Sequence, residues 1–322
     1  MLSRFLAGVA AVFALCAGAF AQNYPVKPVR IVIPFSAGGL TDLLGRGIAS
    51  ELSKMWGQQV IVENRAGANT IIAAELVAKS PADGYTILLA NDPTLSINQY
   101  TYSKLPYDPV RDFATVINIE QSVTVLVVTP SLPASNLQEL IAMAKARPGE
   151  VTYGTFGYGS STHLDTVELS TMAGVKLNHI PFKGIADVLP AVMSGQVNMA
   201  LSAVAPALPY IRSGRLKALA YAGAQRSKVL PNVPTYGEAG LPGFFTHGWF
   251  GFIVPSGTPR PVIDKIAADT SKIIVGREFD EKFVSGVGME LLNQGPDEYA
   301  EYLVKDRAQY AKRVKEANVK LD

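Results

Sequence analysis

Two glycine-rich loops constrain this chain most, because each follows a short apolar strand and runs into an amphipathic helix. The first is Pro34-Phe35-Ser36-Ala37-Gly38-Gly39-Leu40-Thr41-Asp42, after Val29-Arg30-Ile31-Val32-Ile33. The second is Gly154-Thr155-Phe156-Gly157-Tyr158-Gly159-Ser160-Ser161-Thr162-His163, after Val151-Thr152-Tyr153. Glycine lets backbone come close to a ligand, and a helix start offers unpaired N–H groups and a positive dipole end. Two such units, one per half of the molecule, are suited to hold an anion from both sides. Neither loop contains Lys or Arg. The hold would come from backbone amides, hydroxyls and water, which suggests capture of a small carboxylate more than catalysis.

The surrounding pattern alternates strands and helices. Leu44, Ile48, Leu52 and Met55 recur at helical spacing and stop at Gly57. Val60-Ile61-Val62, a helix through Ile72, Leu76 and Val77, and the strand Tyr85-Leu89 complete βαβαβ, the pattern of a parallel sheet covered by helices. The apolar stretch from Phe113 to Val128 reads as a strand passing to a second βα series, and Trp249 to Val254 as its return. The rest reads as mostly helical, with Tyr299, Tyr302, Leu303, Tyr310 and Val314 on one face. A chain that leaves a domain and comes back makes it discontinuous: residues 22–122 and 248–322 form domain 1, and 123–247 domain 2. Two crossing strands make a hinge, near Gln121–Thr124 and Thr246–Gly248, between two α/β lobes. Ligands in such sheets sit beyond the carboxyl ends of strands, where both glycine loops fall.

Residues 1–21 read as a signal peptide: Arg4, an apolar run from Phe5 to Ala17, then Ala19-Phe20-Ala21 as a cleavage site. The expected product is a soluble, secreted and monomeric chain, without membrane insertion after cleavage. Cys16 is the only cysteine, so the processed chain can form no disulfide, thiolate nucleophile or Cys-type zinc site. A formal charge of only +2 and the lack of a long Lys/Arg run argue against nucleic acid as a partner. His163, His179 and His247 lack metal-ligand spacing, and no metal or cofactor is expected.

Together the motifs resemble the periplasmic receptors of the tripartite tricarboxylate transporter type, the Bug family. The matching residues, in order, begin with Pro34-Phe35-x-x-Gly38-Gly39-x-x-Asp42, Val62-Glu63-Asn64-Arg65-x-Gly67-Ala68 and Ala82-Asp83-Gly84-Tyr85-Thr86. Then come Gly157-x-Gly159-Ser160-x-x-His163-Leu164, Pro181-Phe182-Lys183-Gly184, Gly195-Gln196-Val197 and Pro231-x-Val233-Pro234-Thr235. The resemblance implies a type 2 periplasmic-binding-protein fold that closes on a carboxylated ligand and passes it to membrane permease subunits. It also implies that Phe35–Asp42 and Thr155–Thr162 hold the ligand, with water bridging to a carboxylate. Ser36, Asn198, Phe156 and Tyr158 depart from the family's usual residues.

The candidate contacts are therefore Phe35, Ser36, Ala37, Gly38, Gly39, Leu40, Thr41 and Asp42 in the first loop. The second loop supplies Thr155, Phe156, Gly157, Tyr158, Gly159, Ser160, Ser161, Thr162 and His163, and the set also takes in Asn91 and Ser202. Asp42 is equally suited to the dipole of its own helix start, and His163 to a structural hydrogen bond. Phe156 and Tyr158, with Phe35 opposite, suggest a flat aromatic mono- or dicarboxylate. Two other functions remain open: a ligand sensor for a membrane kinase, and a secreted hydrolase using Ser160 or Ser161 with His163. The nucleophile-elbow pattern G-x-S-x-G is absent.

Overall fold

The computed structural model describes residues 24–182 and 185–321. The signal peptide expected over residues 1–21, and Lys183-Gly184 of the quoted motif, lie outside the described residues.

The chain opens with β1 (Val29–Ile33), α1 (Leu40–Trp56), β2 (Val60–Asn64), α2 (Ile71–Ala78), β3 (Thr86–Asn91) and the short α3 (Asn98–Thr101). Strand β1 lies between β2 and β3 and is parallel to both. Leu44, Ile48 and Leu52 place one stripe of α1 in the core, as their spacing requires. The helix stops at Gly57, whose φ of 63° is left-handed and whose amide bonds Ser53 O.

The long strand β4 (Phe113–Val128) follows, then α4 (Leu137–Ala146), β5 (Thr152–Thr155), α5 (Ser161–Ala173), β6 (Asn178–Pro181) and α6 (Ile185–Met193). After β7 (Met199–Ala203), α7 (Val204–Arg212) and β8 (Lys217–Tyr221), the chain returns through β9 (His247–Pro255). It ends in α8 (Arg260–Ile274), α9 (Arg277–Phe283), β10 (Met289–Gln294) and α10 (Pro296–Ala317).

Strand β4 joins the two lobes. Its first half pairs antiparallel with β9 and β10, and its second half with β7 and β8. In the second lobe β5 lies between β6 and β7, parallel to both. Val123 pairs with His247, and the Thr124 and Thr246 hydroxyls touch where the lobes meet. The second lobe has one core between its sheet and helices, whereas the first has a core on each sheet face. Strand β10 falls inside the stretch expected to be mostly helical. Met289-Glu290-Leu291-Leu292-Asn293-Gln294 carries no period-two signal, and the free edge of β4 decides its conformation.

Helix α10 buries Tyr299, Leu303, Tyr310 and Val314, as the sequence pattern requires, while Tyr302 is half-buried. Its last turns reach the second lobe. The Arg313 guanidinium lies 2.9 Å from Asp165 and 2.7 Å from Glu168 of α5, and donates to Phe245 O at 3.0 Å. Its side chain is 3% exposed. An ion pair this enclosed is strongly destabilising to break from one side.

Candidate functional site

The first loop leaves the carboxyl end of β1 and turns at once into α1. Ser36, Ala37, Gly38 and Gly39 are exposed, and Phe35 is half-buried with its ring 6.4 Å from Phe250, edge-on. Leu40 opens the helix, and Thr41 and Asp42 are buried. Asp42 Oδ2 accepts from the Gly38 amide and from Arg46 Nε, both at 2.9 Å, and Oδ1 accepts from Asn64 Nδ2 at 2.9 Å. Asn64 donates to Phe35 O as well, at 3.0 Å. The end of β2 therefore clamps the loop, which ties two of the quoted motifs together. Burial alone would raise the Asp42 carboxyl, but the hydrogen bonds from Arg46, Gly38 and Asn64 outweigh it and hold its pKa below the usual value. Both oxygens of Asp42 are thus engaged in shaping the turn. Gly38 needs its glycine, with φ 88°, and a Cβ there would enter open space. Gly39, at φ −79°, is in ordinary backbone and caps α1 without any side-chain acceptor.

The second loop is more enclosed. Thr155, Gly159, Ser160, Thr162 and His163 are buried, Phe156, Gly157 and Ser161 are half-buried, and Tyr158 is 56% exposed. Ser160 caps α5, its Oγ accepting from the His163 amide at 3.3 Å and donating to Gly157 O at 2.7 Å. Thr155 Oγ1 donates to Gly157 O at 3.1 Å and accepts from Gly157 N at 3.3 Å. Gly157 and Gly159 take φ of 125° and 69°. A Cβ on Gly159 would come within 2.8 Å of Leu321 Cδ1, so the C-terminal tail lies against this loop. The tail reaches the first lobe too, through Leu321 N donating to Thr101 O at 2.5 Å.

Behind the loop, the imidazoles of His163 and His179 stack 4.1 Å apart at 14°. His163 Nδ1 accepts from the Gly159 amide at 3.2 Å, and His179 Nε2 lies 2.6 Å from Thr155 Oγ1. Tyr158 sits edge-on to both rings, at 5.3 and 4.6 Å. Burial lowers the pKa of His163 to about 4. His179 also falls to about 4, through burial and then the neighbouring His163. His179 is distant from His163 in sequence. The β5–α5–β6 unit brings it back, because parallel pairing sets His179 opposite Tyr153 beside the first turn of α5. That crossover was the available signal.

Asn91 and Ser202 end up buried at 3% and 0%. Asn91 Oδ1 accepts from the Thr94 hydroxyl at 2.7 Å, and Ser202 Oγ donates to Ala203 O at 2.9 Å. The accessible candidates are thus Phe35 to Gly39, with Phe156, Gly157, Tyr158 and Ser161. A cavity of ≈ 390 Å³ lies where the lobes join, lined by Gln121, Thr246 and Glu290 among others, and no candidate residue lines it. Nearby in β4, Glu120 is fully buried, and its two oxygens have no hydrogen-bond partner. Burial lifts its pKa to about 8, so it is mostly neutral at pH 7.

Ser160 does not form the hydrolase arrangement among the described residues. Ser160 Oγ meets the His163 backbone, while the His163 imidazole turns to the Gly159 amide. A nucleophile needs a base within hydrogen-bond reach. Among the described residues, no group of three or more His, Cys, Asp or Glu side chains could hold a metal ion, and no helix is long and apolar enough to cross a membrane.

Residues 44–319 match the model of the tripartite tricarboxylate transporter family receptor. BugT of Bordetella pertussis is 34% identical over 94% of this chain and 92% of its own length. Among solved structures, R. palustris Rpa4515 with adipate is 34% identical with a TM-score of 0.86, over 92% of this chain and 99% of that one. MatC (Rpa3494) from Rhodopseudomonas palustris, with bound malate, is 29% identical with a TM-score of 0.81, over 90% of this chain and 100% of that one.

Proposed function

Because the chain belongs to the tripartite tricarboxylate transporter receptor family, we propose that it is a periplasmic receptor. It captures a small dicarboxylate between its two glycine loops and delivers it to a membrane permease. The observation that carries this reading is the likeness, along nearly the whole chain, to a protein solved with adipate. The exposed backbone of Ser36, Ala37 and Gly39 and an α1 start without a side-chain cap supply donors of the kind a carboxylate needs. An aliphatic body is favoured over an aromatic one, because two of the three rings expected to sandwich it have partners of their own. Phe35 packs edge-on to Phe250, and Tyr158 sits on the imidazole pair. Secretion rests on the leader pattern of residues 1–21.

A calorimetric and thermal-shift panel of adipate, malate, succinate, citrate and benzene dicarboxylates tests the proposal. A ligand at a hundred times its Kd adds about 2.7 kcal/mol to stability. The expected result is a clear midpoint rise with an aliphatic dicarboxylate. A larger rise with the benzene dicarboxylates reverses the choice of ligand body, and no rise with any member overturns the carboxylate reading.

A further inference from the structure

The second loop is held from behind by a pair of imidazoles, and the hydrogen bonds assign their protons. His163 Nδ1 accepts from the Gly159 amide, so that nitrogen carries no proton. A proton on the buried, partnerless His179 Nδ1 would be an unsatisfied donor. The His179 proton therefore belongs on Nε2, which donates to Thr155 Oγ1, while the Thr155 hydroxyl donates to Gly157 O. His179 Nδ1 is then a bare nitrogen, buried without a hydrogen-bond partner. Both rings are neutral in this arrangement, and together they fix Thr155 at one end of the loop and Gly159 at the other. We infer that His163 and His179 are positioning residues that hold the second loop in its ligand-receiving shape, and that they do so only as a neutral pair.

A proton added at His163 Nδ1 would point at the Gly159 N–H and break that bond. One added at His179 Nδ1 would bury a donor with no acceptor. Two charged rings stacked 4.1 Å apart would repel as well. The titratable groups facing the pair are Tyr153 from β5 and Tyr158 from the loop. The neighbouring strand β7 sets Met199 and Ala200 beside β5, and the tail presents Val319 and Leu321 to Gly159. Asp165, the nearest carboxylate along α5, is paired with Arg313. No carboxylate counts among the causes acting on either ring, and both pKa values lie near 4. The pair is neutral at ordinary pH because it is enclosed.

The link to ligand rests on the receptor proposal, so the test has one arm with ligand and one without. Without ligand, imidazole ¹⁵N NMR of the whole protein at about pH 5.5 reads the charge of each ring, where an ordinary histidine is mostly protonated. Amide exchange at Gly157 and Gly159 reads the loop. With ligand, adipate affinity is measured at pH 7.5. His163→Asn keeps an acceptor and His179→Gln keeps a donor, whereas His163→Leu and His179→Leu keep neither. We expect neutral rings, and faster exchange at Gly157 and Gly159 in the leucine variants only. Adipate binding should weaken about ten-fold in those two variants and stay within about three-fold in the polar ones. A charged ring at that pH, or leucine variants with wild-type exchange, overturns the inference. Adipate affinity unchanged in the leucine variants would do the same. If the wild-type protein binds no dicarboxylate, the receptor proposal fails, and ring charge and amide exchange still decide the positioning role.

Discussion

The two glycine loops start from the same plan and are stabilised in opposite ways. The first is shaped by an ionised carboxylate: Asp42 takes hydrogen bonds from Gly38, Arg46 and Asn64, and the loop tip stays exposed over a helix start with no side-chain cap. The second is shaped by neutral groups: Ser160 caps its helix, stacked imidazoles hold its ends, and the C-terminal tail covers Gly159. The same sequence device, glycines before a helix, thus yields one open loop and one enclosed one. The difference lies in what each helix start is packed against. The first-loop glycines face open space, whereas α5 is pressed against α10 through the buried Arg313 pair.

The largest expected effect removes that pressure. Arg313→Met leaves the carboxylates of Asp165 and Glu168 without their guanidinium, and should destabilise the protein by about 3–5 kcal/mol. Chemical denaturation measures it, and hydrogen exchange should rise at the second loop more than at the first. Equal rises at both loops would break the contrast.

Next come the glycines. Gly159→Val puts a branched side chain at φ 69° and 2.8 Å from Leu321, so a loss of at least about 1–2 kcal/mol is expected from the left-handed backbone alone. Gly39→Val sits at φ −79°, with its nearest neighbour, Ser36 O, 3.9 Å away. There the cost should be that of a poorer helix cap, about 1 kcal/mol, while ligand affinity falls if the ligand approaches this tip. A stability loss at Gly39 as large as that at Gly159 would mean the first loop is equally enclosed.

A further contrast is a difference in acid response. Both histidines have folded-state values of about 4 against an ordinary 6.5. Between those values the unfolded chain binds more protons than the native one, so their contribution is lost as pH falls through that window. Asp42, held below its ordinary 3.8, contributes above that value and loses its contribution only at lower pH. Glu120 has the opposite sign: with its pKa raised to about 8 from 4.5, its contribution declines as pH rises between the two. The clean measurement is therefore a subtraction. Stability of the wild-type protein minus that of the His163→Asn/His179→Gln double variant should fall between about pH 6.5 and 4, and Asp42→Asn should leave that segment unchanged.

Local pattern decided much of this molecule. The spacing of Leu44, Ile48 and Leu52 specified a buried helix face, and Gly57 its end, because side-chain period and glycine's freedom act over a single turn. The long run from Phe113 to Val128 was legible as one strand leaving a lobe, and the glycine loops as turns from a strand end into a helix start. The tertiary structure alone decided what lies behind those turns. His179 meets His163 through a crossover, Leu321 meets Gly159 from the far end of the chain, and Asn64 reaches back to Asp42 from the neighbouring strand. Strand β10 took its conformation from an open edge of β4. Periodicity records which face of an element is buried. The partner on the other side is set by how sheets and helices stack, and one chain's residue order carries no local mark of it.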